Sequence, residues 1–166
     1  MTGMAALPLA GASQVVITDA VQVVDDGANS QQSAVVSDSD GNVHMVWAKN
    51  NQQLIYSMMD PRGFTLIAPT QLNDNGGART WHPDIAIDSM DRIHISWTDK
   101  SGNHAIMYTC INPFLDDLDG SMASDGAITV ITDTIVEKRT NNRDWPAIAI
   151  DSKNAVHITW EDNYDS

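Results

Sequence analysis

Two short segments of this chain carry residues that could recognise a ligand. They read RTWH at residues 79–82 and RDWP at residues 143–146. Guanidinium groups and carboxylates form charge-assisted hydrogen bonds, and tryptophan offers an apolar face for stacking. That combination suits sugars or acidic glycans. The residues predicted to form the candidate ligand site are Arg79, Trp81, His82, Arg143, Asp144 and Trp145.

Each of these segments leads into a copy of a fifteen-residue repeat. The copies occupy residues 33–47, 83–97 and 146–160, and they start 50 and 63 residues apart. A period near 50 residues is typical of propellers and other repeat arrays. In a propeller, the connection into the inner strand opens on the face where ligands bind near the central channel. In the simpler alternative, His82 and Trp145, which align, only cap the strand below.

The pattern within each repeat predicts antiparallel strands. A short apolar strand comes first, followed by a turn rich in Asp and Ser. The second strand then has side chains that point alternately to its two faces. A third strand is predicted at 54–56 and 106–108, and a fourth at 64–72 and 127–136. Four consecutive antiparallel strands describe the blade of a β-propeller. The predicted fold class is therefore all-β, a β-propeller with about two full four-stranded blades and parts of others.

The chain divides along the same repeat. We predict an N-terminal extension at 1–13 that can add a blade strand, and an outer strand of a preceding blade at 14–24. Blade 1 follows at 33–75, then blade 2 at 83–137 with an acidic insertion at 112–125, and the inner half of blade 3 at 146–166. Propellers typically need about 4 to 8 blades to close. Either the chain is part of a longer protein, or two copies close a six-bladed ring as a homodimer.

Histidine and tryptophan each recur at one position of the repeat. The histidines would lie in neighbouring blades, too far apart for the bonds of about 2 Å that a shared metal requires. We predict that these imidazoles pack between blades and bond to backbone, and that the indoles fill the wedge between sheets. The predicted structural residues are His44, Trp47, His94, Trp97, His157 and Trp160.

The acidic insertion offers oxygen ligands at alternating positions. Asp117, Asp119 and Ser121, with Asp125 behind them, resemble a calcium loop that bends at a glycine. The segment lacks the later bidentate glutamate of an EF-hand and follows a strand instead of a helix. A solvated acidic loop is the alternative to calcium binding. No other cofactor is indicated.

The charge balance excludes some partners. The 166 residues include 22 acidic and 9 basic ones, which gives a formal net charge of −13. Nucleic acid and anionic membrane surfaces require a basic patch, so neither is an expected partner. No window approaches the roughly 18 apolar residues of a membrane-spanning helix, so no membrane insertion is expected. The one cysteine, Cys110, allows no intramolecular disulfide.

The repeat resembles a known family. Its motif, P-x-I-A-I-D-S-x-x-x-(I/V)-H-I-x-W followed by I-x-Y, is similar to the BNR or sialidase-like (Asp-box-type) propeller repeats, over about residues 14–166. The resemblance implies a propeller fold and an extracellular or cell-surface location. Sialidases of this family carry an Arg-Ile-Pro motif, whereas Arg92 and Ile93 are followed here by His94. The resemblance therefore implies a non-catalytic member or a fragment.

The functional prediction follows from where the copies differ. We expect a non-catalytic module for binding or scaffolding, with glycan as the candidate ligand and the segments before each repeat as the site. The alternative is a carbohydrate-active enzyme, either a sialidase-like glycoside hydrolase or a polysaccharide lyase. A glycosidase would need a pair of carboxylates about 5 to 9.5 Å apart.

Overall fold

The computed structural model describes residues 5–8, 14–17, 22–23, 27–73, 79–101, 105–116, 121–122, 129–138 and 143–162. All regular structure in these ranges is β-strand, so they hold no helix able to cross a membrane. The strands are β1 (Ala5–Pro8), β2 (Gln14–Ile17), β3 (Ser30–Ser37), β4 (Val43–Lys49), β5 (Gln53–Met59), β6 (Thr65–Gln71), β7 (Thr80–Ile87), β8 (Ile93–Asp99), β9 (Ala105–Asn112), β10 (Leu115–Asp116), β11 (Ser121–Met122), β12 (Thr129–Lys138), β13 (Arg143–Ile150) and β14 (Val156–Asp162).

Two complete antiparallel sheets form the blades. Blade 1 has the strand order β3-β4-β5-β6, and blade 2 has the order β7-β8-β9-β12 with the hairpin β10-β11 inserted before its last strand. Two half-sheets accompany them: β1 pairs with β2, and β13 pairs with β14 to give the inner half of blade 3. The predicted fold class is confirmed, since the chain is all-β and its sheets are those of a β-propeller.

The turn inside each repeat explains why the aspartate recurs. Asp38 Oδ1 accepts the N–H groups of Asp40 and Asn42, which fixes the turn between β3 and β4. Asp88 and Asp151 do the same in the other two repeats. The fourth residue of each turn has positive φ, as turns with Gly, Asp or Asn there allow. These residues are Gly41, Asp91 and Asn154, at 82°, 55° and 62°.

The same turns join one blade to the next. Asp91 Oδ2 accepts the Ser39 hydroxyl at 2.6 Å, and Oδ1 accepts the Ser39 N–H. One blade further on, Ser89 and Asn154 form the equivalent pair, with Asn154 Oδ1 accepting the Ser89 N–H at 3.1 Å. Equivalent residues therefore meet at a constant register, and the three repeats lie side by side.

The main core lies between blades 1 and 2. Alternation along β4 directs His44, Val46 and Ala48 toward blade 2, and each of them is 0% exposed. Blade 2 contributes apolar residues to the same cluster, including Ile85, Ile93, Ile95 and Trp97. The inner strand of blade 1 is apolar, as in the other repeats, but its Val35 is 64% exposed. No sheet among the described residues covers that face.

The repeated histidines have side-chain partners. His44 Nδ1 lies 2.7 Å from the Tyr56 hydroxyl, and Nε2 lies 3.2 Å from Asp38 Oδ2. The backbone partners expected for these rings are not the ones used, since the neighbouring N–H and C=O groups already pair in the β-ladder. Blade 2 repeats the arrangement with the residues Asp88, His94 and Tyr108.

The third repeat is more open than the other two. His157 bonds Asp151 at 3.2 Å, and its side chain is 61% exposed. Trp160 is half-buried, whereas Trp47 and Trp97 are 6% and 3% exposed. For His157 the difference follows from position, because within the described residues no further sheet lies against the outer face of β14.

Candidate functional site

All three inner strands carry a β-bulge at the same place. The register shifts between Gln31 and Ala34 in β3, and at the equivalent positions in β7 and β13. The segments that lead into each repeat are therefore bulged ends of the inner strands. A bulge bends its strand and changes the direction of the side chains. Here it turns the residues before each repeat toward one end of the blades.

One residue of each bulge has a left-handed backbone. The φ angles of Gln32, His82 and Trp145 are 57°, 48° and 47°. Positive φ is uncommon outside glycine and is an outlier for a bulky residue. The three positions are equivalent in the repeat, so the strained geometry is a property of the architecture.

Side chains from these bulges, together with Lys100 just after β8, meet in what we call the mouth cluster: Gln32, Trp81, His82, Lys100, Asp144 and Trp145. Its centre is Asp144, which is 8% exposed. Asp144 Oδ1 lies 2.6 Å from His82 Nδ1, and Oδ2 forms an ion pair with Lys100 Nζ. The pairs join blade 2 to blade 3, because His82 and Lys100 belong to blade 2.

The charge state of Asp144 fixes the proton on His82. Burial acts to raise the pKa of the Asp144 carboxyl, but the hydrogen bonds from Lys100 and His82 outweigh it and hold that pKa below its ordinary value. Asp144 is thus a carboxylate at neutral pH and accepts the bond, so His82 Nδ1 is the donor. In the neutral ring, Nε2 is then an acceptor, and among the described residues it has no partner.

The aromatic rings cover one side of this network. The rings of His82 and Trp145 lie 4.5 Å apart at an interplanar angle of 32°, and Trp81 lies 5.8 Å from His82. Lys100 Nζ sits 4.5 Å from the centre of the Trp81 ring, within cation–π range. Trp145 is 52% exposed. The result is an open indole surface beside buried charged groups.

Backbone contacts hold the cluster in place across three blades. Gln32 Oε1 accepts the His82 N–H at 2.8 Å, which ties blade 1 to blade 2. Asp84 Oδ2 accepts the Ile148 N–H at 2.9 Å, which ties blade 2 to blade 3. The Asp84 carboxylate therefore has a structural partner.

The structure brings four of the six predicted site residues together: Trp81, His82, Asp144 and Trp145. Arg79 is exposed, and its N–H donates to Asp99 at 3.2 Å. Arg143 opens β13 in register with Asp162, and its side chain lies outside the described part of the structure.

Sequence reasoning missed two members of the cluster, Gln32 and Lys100. Lys100 follows Trp97 by three residues, as Asn50 follows Trp47. Both N–H groups donate to the backbone at the start of the inner strand, Lys100 to Arg79 at 2.9 Å and Asn50 to Asn29 at 2.7 Å. A cation at this repeat position therefore lies over the mouth. The spacing of three residues after the repeat tryptophan is the sequence signal that could have identified Lys100.

The predicted calcium ligands belong to the acidic insertion at 112–125. Asp117, Asp119 and Asp125 lie outside the described residues, as does the side chain of Ser121, the first residue of β11. Within the described ranges, no group of three or more His, Cys, Asp or Glu side chains could hold a metal ion.

Stacked blades with bulged inner strands and a polar, aromatic mouth define the class: a β-propeller with a candidate ligand surface at one end. No known protein family matches the sequence, and no curated protein matches it. Among solved structures, an endo-arabinase from Bacteroides thetaiotaomicron is similar at 11% identity and a TM-score of 0.48, over 95% of this chain. This chain spans 64% of that chain.

Proposed function

We propose that this chain is a carbohydrate-binding propeller module whose mouth cluster takes neutral sugar residues. The observation that carries the proposal is Trp145, a half-exposed indole beside the His82, Asp144 and Lys100 network. The C–H faces of sugars stack on aromatic rings, and their hydroxyls both donate and accept hydrogen bonds. A stacking surface with a carboxylate and an imidazole at its edge suits that chemistry.

The backbone supports a binding role for the same residues. Holding His82 and Trp145 at positive φ costs on the order of 1–3 kcal/mol each, and such strain clusters at ligand sites. The bonds from Gln32 to His82 and from His82 to Asp144 stabilise this geometry without any ligand. The mouth is therefore preorganised, which lowers the entropic cost of binding.

The charge distribution favours neutral over acidic sugars. Lys100 is already paired with Asp144, so its charge is compensated within the cluster. The whole chain carries −13, which repels an anionic ligand as it approaches. Acidic glycans are accordingly expected to bind more weakly than neutral ones.

A glycan array of neutral and acidic oligosaccharides tests the proposal, followed by calorimetry on the sugars it selects. Trp145→Ala is expected to raise Kd by about tenfold or more, equivalent to about 1.4 kcal/mol. The matched control is Phe64→Ala, since Phe64 is 65% exposed on the outer turn of blade 1 and away from the mouth. Absence of any glycan binding, or equal Kd values for Trp145→Ala and the native chain, would contradict the proposal.

The second candidate function is a carbohydrate-active enzyme. The observation in its favour is the His82–Asp144 pair, in which Asp144 orients an imidazole whose Nε2 is available to take a proton. A lyase could use such a base, whereas a glycosidase needs a second carboxylate, and Asp84 is bonded to Ile148. At 11% identity, the likeness to the endo-arabinase extends no activity to this chain.

Turnover assays separate the two functions. The sugars that the array selects are incubated with the chain, and both reducing ends and unsaturated products are measured. Activity that survives repurification and is lost in His82→Gln and Asp144→Asn would establish the enzyme. Binding without products would establish the module.

A further inference from the structure

One face of blade 1 is bare where its equivalents are buried. Ile85 and Ile148 are 7% and 8% exposed, whereas Val35, at the same repeat position, is 64% exposed. Val35 lines an apolar groove of about 450 Å³ together with Met45 and Trp47. We call Val35 and the half-buried Met45 the bare face; Trp47 borders the groove but is only 6% exposed.

The repeat identifies what covers this kind of face elsewhere in the chain. In blade 2 the equivalent residues Ile85, Ile95 and Trp97 pack in one cluster with Val46 of β4. His44 and Ala48 flank Val46 on the same side of β4 and are also 0% exposed. The natural complement of the bare face is therefore the corresponding side of another blade's second strand.

The chain contains that complement in uncovered form. On β14 the matching side presents His157, Thr159 and Glu161, and all three are exposed. The equivalent blade 2 residues His94, Ser96 and Thr98 are buried, between 0% and 3% exposed. Between blades 1 and 2, these two kinds of surface pack against each other. The chain also holds one uncovered copy of each, on blade 1 and on β14.

The half-sheets complement each other in the same way. β13 and β14 are the first two strands of a blade, and β1 and β2 form a second two-stranded sheet. Joined in the order β13-β14-β1-β2, they would reproduce the four-stranded order of blades 1 and 2. Among the described strands, β1 and β2 pair only with each other, as do β13 and β14, so the half-sheets are not joined within the chain.

We propose that the bare face packs against blade 3 of a second copy of this chain, so that two copies close a six-bladed ring. The mouth is incomplete without that copy. From blade to blade around the ring, the bulge of blade 2 contributes His82 and the bulge of blade 3 contributes Asp144 and Trp145. The next bulge would belong to blade 1 of the second copy and would contribute Gln31 and Gln32 of the partner subunit. The partner would thereby add amide donors and acceptors beside the exposed indole.

Light scattering on a sizing column tests the proposal at about 0.15 M ionic strength, where charge repulsion between copies is largely screened. The native chain is expected at twice its 18.1 kDa. Val35→Asp places a charge on the bare face, and Thr159→Arg places a charge on the side of β14 that would pack against it. Each substitution would bury a charge in the junction, so each is expected to give a monomer. Leu66→Asp is the matched control and stays dimeric, because Leu66 is 49% exposed on the outer strand β6.

Far-ultraviolet circular dichroism accompanies each mass. If Val35→Asp fails to fold, Thr159→Arg decides, since Thr159 is exposed in the single chain. A native mass of 18.1 kDa at tens of micromolar protein, or a folded Thr159→Arg that remains dimeric, would overturn the proposal. The mass needs no ligand, so its outcome is independent of the glycan proposal.

Discussion

At the scale of single residues, the candidate site depends on side chains placed by an unfavourable backbone. Gln32, His82 and Trp145 all have positive φ, although neither glutamine nor tryptophan is a residue type that favours it. Each lies at the same step of a bulge, where the strand must bend. The mouth cluster is therefore a consequence of bulge geometry combined with three different side chains.

A pair of substitutions at Trp145 measures this strain. Trp145→Ala and Trp145→Gly both remove the indole, but only alanine keeps the Cβ that clashes at φ 47°. The glycine variant is expected to have the larger free energy of unfolding, by about 1 kcal/mol, in urea denaturation. At Ala149, which lies in the same strand at ordinary φ, the change from alanine to glycine should instead lower the free energy of unfolding. A glycine variant no more stable than the alanine variant would argue against strain.

At the scale of elements, a buried chain of side chains fastens the turn to the second and third strands in blades 1 and 2. In blade 1, Asp38 in the turn, His44 on β4 and Tyr56 on β5 are joined by bonds of 3.2 and 2.7 Å. Burial lowers the pKa of His44, and it also lowers the pKa of His94 in blade 2. Both rings are neutral in the folded chain, accepting from tyrosine and donating to aspartate.

Stability should therefore fall in mild acid. The unfolded chain binds protons on these histidines near pH 6.5, whereas the folded chain resists them, so unfolding takes up protons below that pH. The thermal midpoint is expected to drop as pH falls from about 7 to about 5. The double variant His44→Gln, His94→Gln should show a shallower slope. An unchanged slope in that variant would place the pH dependence elsewhere.

A second acid-sensitive step belongs to the same chains. Burial acts to raise the pKa of Asp88, but its bonds with Arg92 and other neighbours hold that pKa at about 2. The contribution of Asp88 to the free energy of unfolding is present at pH values above the ordinary aspartate pKa, and it is lost as the pH falls toward about 2. Blades 1 and 2 are thus stabilised internally by groups that titrate in two separate pH ranges.

The elements were more predictable from sequence than the site was. Alternation along residues 43–47 and the Asp-Ser turn are local signals, so strands and turns could be inferred directly. The contact between Lys100 and Asp144 spans 44 residues and crosses between blades, and no local pattern specifies it. The bulges were missed because Gln32, His82 and Trp145 carry no sequence signature of positive φ.

At the scale of the whole molecule, the repeats supply the scaffold and their differences supply the candidate function. Turn contacts such as that between Ser39 and Asp91 set neighbouring blades at a constant register. Constant register brings equivalent bulges to one end, where three unlike side chains meet. On this account, the tryptophans of the repeat are structural, and those of the mouth contact the ligand.

The indole N–H signals of the five tryptophans test this division most directly. They are assigned by single Trp→Phe variants and followed by NMR while the neutral oligosaccharide selected by the array is added. We predict that the signals of Trp81 and Trp145 shift with saturation, while those of Trp47, Trp97 and Trp160 stay in place. Saturable binding that leaves Trp81 and Trp145 unmoved would contradict the account.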